Sequence, residues 1–246
     1  MEKYSAVIIE PRKHDLFKVV LKNFLKNLHE RWDILIFHGH NNEIFLNELI
    51  EENFINDKKR IKLIKLNIHK NISDKQYSYL LTNKKFYDYI PTEMFLIFQT
   101  DTLLSDVYNY KIYDFMEYDY VGAPWINYGS VGNGGLSLRK KSKMIEIIEN
   151  NPYLDYCNED AYFCNAKTNI NKPSYEKAME FAVETSYYDK PFGIHKAYCY
   201  TNLNQLHELA KHIPDIYELY EYYYLHKKWD KPDTIIHIND FFICQP

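Results

Sequence analysis

MFLIFQTD, residues 94–101, runs through five apolar residues before turning polar at Gln99, Thr100 and Asp101. Such a run is too short for a buried helix and suits a strand covered on both faces. Three similar runs precede it: AVIIE (6–10), DILIFHG (33–39) and the alternating RIKLIKL (60–66). Between them Phe17, Val20, Leu21, Phe24, Leu25 and Leu28 recur at helical spacing, and residues 42–53 and 74–89 also read as helical. Strands separated by helices predict an α/β fold with a mixed, mainly parallel sheet and helices on both faces. Ligands of such sheets bind beyond the carboxyl ends of the strands, here just after Glu10, Phe37 and Gln99.

Beyond Trp125 the pattern loosens into a glycine-rich loop and a short strand, LSLR (136–139). Helices are expected over 141–150, 159–166 and 173–186. The Tyr-rich stretch YELYEYYYLHKKW (217–229) predicts an added packing helix, within a C-terminal helical extension (200–246) of a single domain (1–246).

With 246 residues, 46% of them apolar, the chain can bury a sizeable core. A net charge of −4 does not suggest the clustered basic face that binds duplex nucleic acid, and small-molecule substrates fit better. Cys157, Cys164, Cys199 and Cys244 have neither metal-site spacing nor the density of a disulfide framework. No basic-plus-apolar leader and no run of about 18 apolar residues occurs, so a cytoplasmic protein without a membrane span is expected.

Five of the seven glycines fall between Gly122 and Gly135. The loop VGNGGLSLR (131–139) lacks the GxGxxG placement of a dinucleotide site and the GK[ST] ending of a P-loop. Its adjacent Gly134 and Gly135 suit close passage of backbone past a bulky ligand, or simply a turn. Trp125, upstream in GAPW, offers a platform for a sugar ring or a core anchor. Arg12 and Arg139 flank strand ends, where a planar fork grips a diphosphate, unless they are ordinary surface charges. Asp101, at a strand end, suits a carboxylate ligand of Mn²⁺ or Mg²⁺, or a turn residue. In CNEDAYF, Glu159 and Asp160 are either first-turn acids behind an Asn158 cap or a general base aimed into the crevice. His195, in PFGIHK, is a metal ligand or a structural histidine.

The order EPR, LLTNKKF, FQTD, YVGAPW, VGNGGLSLR, NED and PFGIHK resembles a little-characterised glycosyltransferase-like family of unknown function with the GT-A fold, a Rossmann-like arrangement. More distantly it is similar to Fringe-like and β-galactosyltransferase-type inverting enzymes. The resemblance implies a donor nucleotide-diphosphate sugar, a glycan or other hydroxyl acceptor, and Mn²⁺ or Mg²⁺ on Asp101 and His195. It places Asp160, or failing that Glu159, as the base. Glu10, Arg12, Gln99 and Trp125 join Asn133, Gly134, Gly135 and Arg139 as substrate-binding candidates. One position departs from the Asp-x-Asp pattern of such enzymes: Gln99 stands where the first acid would be, one carboxylate short. The activity implied is sugar transfer with inversion; a retaining enzyme and an inactive sugar- or nucleotide-binding module are the alternatives.

Overall fold

The computed structural model describes residues 2–127, 130–153 and 157–225. Its first four strands fall where the apolar runs predict them: β1 (Tyr4–Ile9), β2 (Trp32–His38), β3 (Ile61–Lys65) and β4 (Met94–Phe98). β1 pairs in parallel with β2 and β4, and β2 with β3. Shorter strands follow: β5 (Thr102–Leu104), β6 (Tyr120–Gly122), β7 (Pro124–Trp125), β8 (Ser130–Val131), β9 (Ser137–Lys140), β10 (Ala182–Val183) and β11 (Gly193–His195). The LSLR strand, β9, runs antiparallel to both β4 and β6. The main sheet is therefore β3-β2-β1-β4-β9-β6, mixed and mainly parallel.

Alternation along β1 divides the core. Ala6 and Ile8 face one cluster, with Phe17, Val20 and Phe24 of α1 (Phe17–Asn27) and Leu46 of α2 (Glu43–Asn53). Val7 and Ile9 face the other, with Leu80 of α3 (Asp74–Leu81), Phe86 of α4 (Lys84–Asp88), Met144 of α5 (Lys141–Asn150) and Phe163 of α6 (Glu159–Cys164). Helices thus cover both faces, as the alternating pattern predicts.

Two expected helices are revised. Residues 74–89 form α3 and α4 rather than one helix, because Asn83 accepts a hydrogen bond from Lys85 N and caps a new start. The helix expected over 173–186 is only α7 (Tyr175–Phe181), after which the chain extends into β10. Ala182 and Val183 are fully buried and pair in parallel with β11, so sheet pairing overrides the helical spacing. A second sheet, β10-β11-β5, results.

Downstream lie α8 (Ala197–Tyr200), α9 (Leu203–Ala210) and α10 (Ile216–Leu225). Leu206, Leu209, Ile216 and Leu219 join the same cluster as α1, so this part of the extension is packed into the core. Residues 226–246, including the end of the Tyr-rich stretch and Cys244, lie outside the described residues. Among the described residues no helix is long and apolar enough to cross a membrane.

Candidate active site

The small second sheet assembles the site. Asp101 closes the turn between β4 and β5, and its neighbour Thr102 pairs with His195 at the end of β11. Val183 pairs with Ile194, which sets Glu184 beside His195. All three side chains are buried. His195 Nε2 lies 3.2 Å from Gln99 Oε1 and 3.5 Å from Asp101 Oδ1, and its Nδ1 is 3.2 Å from Glu184 Oε1. Asn133 Nδ2 donates to Glu184 Oε1 at 2.9 Å, and Asn133 Oδ1 accepts from Gly135 N at 2.9 Å. Buried polar atoms normally find partners. Yet Asp101 Oδ1, Glu184 Oε2 and His195 Nδ1 make no well-aligned hydrogen bond, and they lie together.

Glu184 is the residue that sequence reasoning missed. Reading 173–186 as one helix hid the strand that aims it. The available signal was AVE (182–184), a buried apolar pair ending in an acid, the same grammar that singles out Asp101.

Asp160 meets this cluster from α6. Its Oδ2 accepts from Gly134 N at 3.2 Å and its Oδ1 from Ala161 N at 2.7 Å, while the side chain stays half-buried. Burial pushes its carboxyl above the ordinary aspartate value; the backbone bonds to Ala161 and Gly134 pull it back, and the nearby Glu184 charge adds to the rise. A Cβ on Gly134 would meet Glu159 Oε1 at 2.3 Å, and one on Gly135 would meet the His195 ring at 2.2 Å. The loop is bare where its backbone lies against the site's own side chains.

Arg139 and Glu159 also require correction. Arg139 is fully buried, donates from Nη1 to Glu159 Oε2 at 2.8 Å and from Nη2 to Glu159 Oε1 at 3.1 Å, and gives Nε–H to Ser137 Oγ. Its guanidinium also lies over the rings of Tyr120 and Phe163. That fork has no face left for a diphosphate. Burial pushes the Glu159 carboxyl up, opposed by the charge and hydrogen bonds of the Arg139 guanidinium. Glu159 is thus committed to Arg139 rather than available as a base. The cap reading of the triplet holds by position, with Asn158 at the N-cap and both acids in the first turn of α6, although Asn158 makes no side-chain cap bond.

Arg12 is placed differently. It forks onto Glu10, Nε to Oε1 at 2.7 Å and Nη2 to Oε2 at 2.6 Å, with about a quarter of its side chain (24%) exposed. This pair lies at the end of β1, and its charges reach His14, which also feels Asp101. Trp125 is half-buried on the β7–β8 hairpin and packs against the second core cluster. That hairpin is tied beside Glu184, because Thr185 Oγ1 donates to Pro124 O.

Asp101 and His195, the expected metal pair, do meet, but the residues around them do not make a divalent-ion site. Among the described residues no group of three His, Cys, Asp or Glu side chains is disposed to hold an ion. Gln99 brings an amide to the position where an acid would add charge. Lys196 Nζ lies 3.8 Å from Asp101 Oδ2, so a divalent ion on that carboxylate would sit against an ammonium.

Residues 60–195 match a family model described as "Protein of unknown function (DUF5672)". The chain belongs to that family. No curated protein matches the DUF5672 chain in sequence. Among solved structures it is similar to the WbbM bifunctional glycosyltransferase, with a TM-score of 0.50 and 11% identity over 89% of this chain and 51% of that one. It is also similar to S. aureus TarS in complex with UDP (TM-score 0.49, 10% identity, 92% of this chain and 73% of that one). HddC from Yersinia pseudotuberculosis aligns at TM-score 0.46 and 16% identity over 69% of this chain and 88% of that one. The likeness to WbbM, with the sheet order described above, makes the fold of this DUF5672 chain GT-A-type.

Proposed function

We propose that the protein is a glycosyltransferase that moves a sugar from a nucleotide-diphosphate donor to an acceptor hydroxyl with inversion. The observation that carries this reading is Asp160: a half-buried carboxylate, raised by burial, that accepts from Gly134 N of the glycine loop, whose next residue, Gly135, lies against His195 of the Asp101–Glu184–His195 cluster. A base with its pKa lifted toward neutrality loses less driving force for proton uptake while staying ionised. The acceptor oxygen attacks the anomeric carbon and its proton passes to Asp160. The bond from that carbon to the diphosphate oxygen breaks, and the electron pair leaves with the nucleoside diphosphate. Arg12, forked on Glu10 beyond β1, binds the donor phosphates. Trp125 borders the sugar. The name of WbbM states glycosyl transfer, and that name supports the activity as a likeness of fold does, without fixing donor or stereochemistry.

Asp160→Asn tests the reading. The variant is expected to bind donor normally and to transfer sugar about 10²- to 10⁴-fold more slowly, the contribution of a positioned base. Transfer at the ordinary rate, or a product that keeps the donor's anomeric configuration, would reject inversion by Asp160.

A further inference from the structure

Lys196 is the single non-glycine residue with a left-handed backbone among the described residues, at φ 49° and ψ 22°. A side chain in that region is strained, which glycine avoids, and such strain persists where surrounding structure enforces it. Here the enforcement is visible. Lys196 follows His195 directly, its N–H donates to Asp101 O at 3.2 Å, and Cys199 N donates back to Lys196 O at 2.9 Å. The turn starts α8 and delivers the ammonium 3.8 Å from Asp101 Oδ2. The Asp101 side chain is 8% exposed and that of Lys196 41%. The cation therefore emerges from a buried acid toward solvent. Burial works against its charge, but Asp101, Glu184 and Asp74 outweigh that and hold it protonated.

The surrounding acids make the inference specific. Asp101 and Glu184 bring two buried carboxylates to a place where a diphosphate leaving group would carry further negative charge. A fixed cation must offset them, and the donor set described above does not suit a divalent ion.

We propose that Lys196 is that cation: its ammonium binds the diphosphate of the nucleotide donor beside Asp101, in the role a divalent metal ion would otherwise fill. The inference rests on the glycosyltransferase reading. In the transfer step, Lys196 neutralises the diphosphate oxygen that receives the electron pair of the broken bond, while the acceptor proton goes to Asp160. No proton leaves Lys196.

Calorimetric titration of UDP, GDP, ADP, CDP and dTDP in EDTA, each against its nucleoside, tests this on the full chain. One diphosphate is expected to bind wild type without metal. Lys196→Gly and Lys196→Asn, both at home in a left-handed backbone, should weaken that diphosphate about 10- to 100-fold, the span of a charged hydrogen bond, and leave its nucleoside unchanged. Lys196→Arg, which keeps the charge, should restore binding. Unaltered diphosphate affinity in the neutral variants overturns the proposal and leaves the transferase reading standing. Binding of wild type only when Mn²⁺ is added overturns it too, and returns the role to an ion. Failure of wild type to bind any diphosphate under either condition removes the transferase reading itself, and this proposal with it.

Discussion

The molecule contains two bidentate arginine–glutamate forks of opposite character, Arg139 gripping through Nη1 and Nη2 and Arg12 through Nε and Nη2. Arg139 and Glu159 are 20 residues apart, from β9 and α6, and have 0% and 5% of their side chains exposed. Arg12 and Glu10 are two residues apart at one strand end, and the arginine side chain is partly exposed. A fork with all its donors engaged inside the core stiffens the loop it crosses, here by also donating to Gly134 O. A fork at the mouth of a crevice can exchange its carboxylate for a phosphate, whose geometry is similar. Guanidinium chemistry is the same in both; burial decides which one is architecture.

The largest expected effect tests the buried pair. Glu159→Gln leaves Arg139 charged and short of a partner, so stability should fall by about 3–5 kcal/mol, read as a shift of the urea midpoint at constant slope. A loss below about 1 kcal/mol would erase the contrast between the forks. Next comes the open pair. Arg12→Lys keeps the charge but loses the planar fork, and donor affinity should weaken about tenfold, with stability changed by less than about 1 kcal/mol. If stability suffers and donor affinity does not, Arg12 belongs with Arg139.

The smallest effect concerns Asp160, which neighbours Glu159 in sequence but is not paired by the Arg139 fork. Its folded-state pKa is raised, chiefly by burial, so the native state holds the proton more tightly than the unfolded chain. Stability should therefore decline as pH rises from the ordinary aspartate value to the raised one, and Asp160→Asn should remove that decline. The acid limb of kcat/KM should lie above the ordinary aspartate value for the same reason, since protonation disables the base. A limb at or below that value would separate Asp160 from the rate.

The first four strands of the main sheet were legible because each is a short apolar or alternating run and helices separate them. Asp101 was legible for the same reason, as the acid ending β4. Glu184 was not, because β10 is two residues long and exists only through pairing with β11. Arg139 was visible as a rare arginine after a strand, but no local pattern reveals that Glu159, 20 residues on, has taken its fork. Lys196 carries no sequence signal of its left-handed backbone, since a glycine or asparagine would be the usual mark. What sequence conveys well is a residue's place along an element. What it conveys poorly is which distant side chain claims it first.

The register of β5 against β11 has a consequence in time. His195 and Gln99 touch across 96 positions of chain, a separation that the β1–β4 pair, Ser5 to Phe95, nearly matches, whereas β1 and β2 close over a much shorter loop. Contacts so remote in sequence bring their loop-closure cost before any reward, so the three-stranded sheet should form after β1 and β2 have paired. With only two or three residues per strand, it should also open before them. The amides of β10 and β11 should then exchange with solvent well ahead of those of β1. A protein losing structure from this corner would lose its chemistry while most of its sheet is still intact.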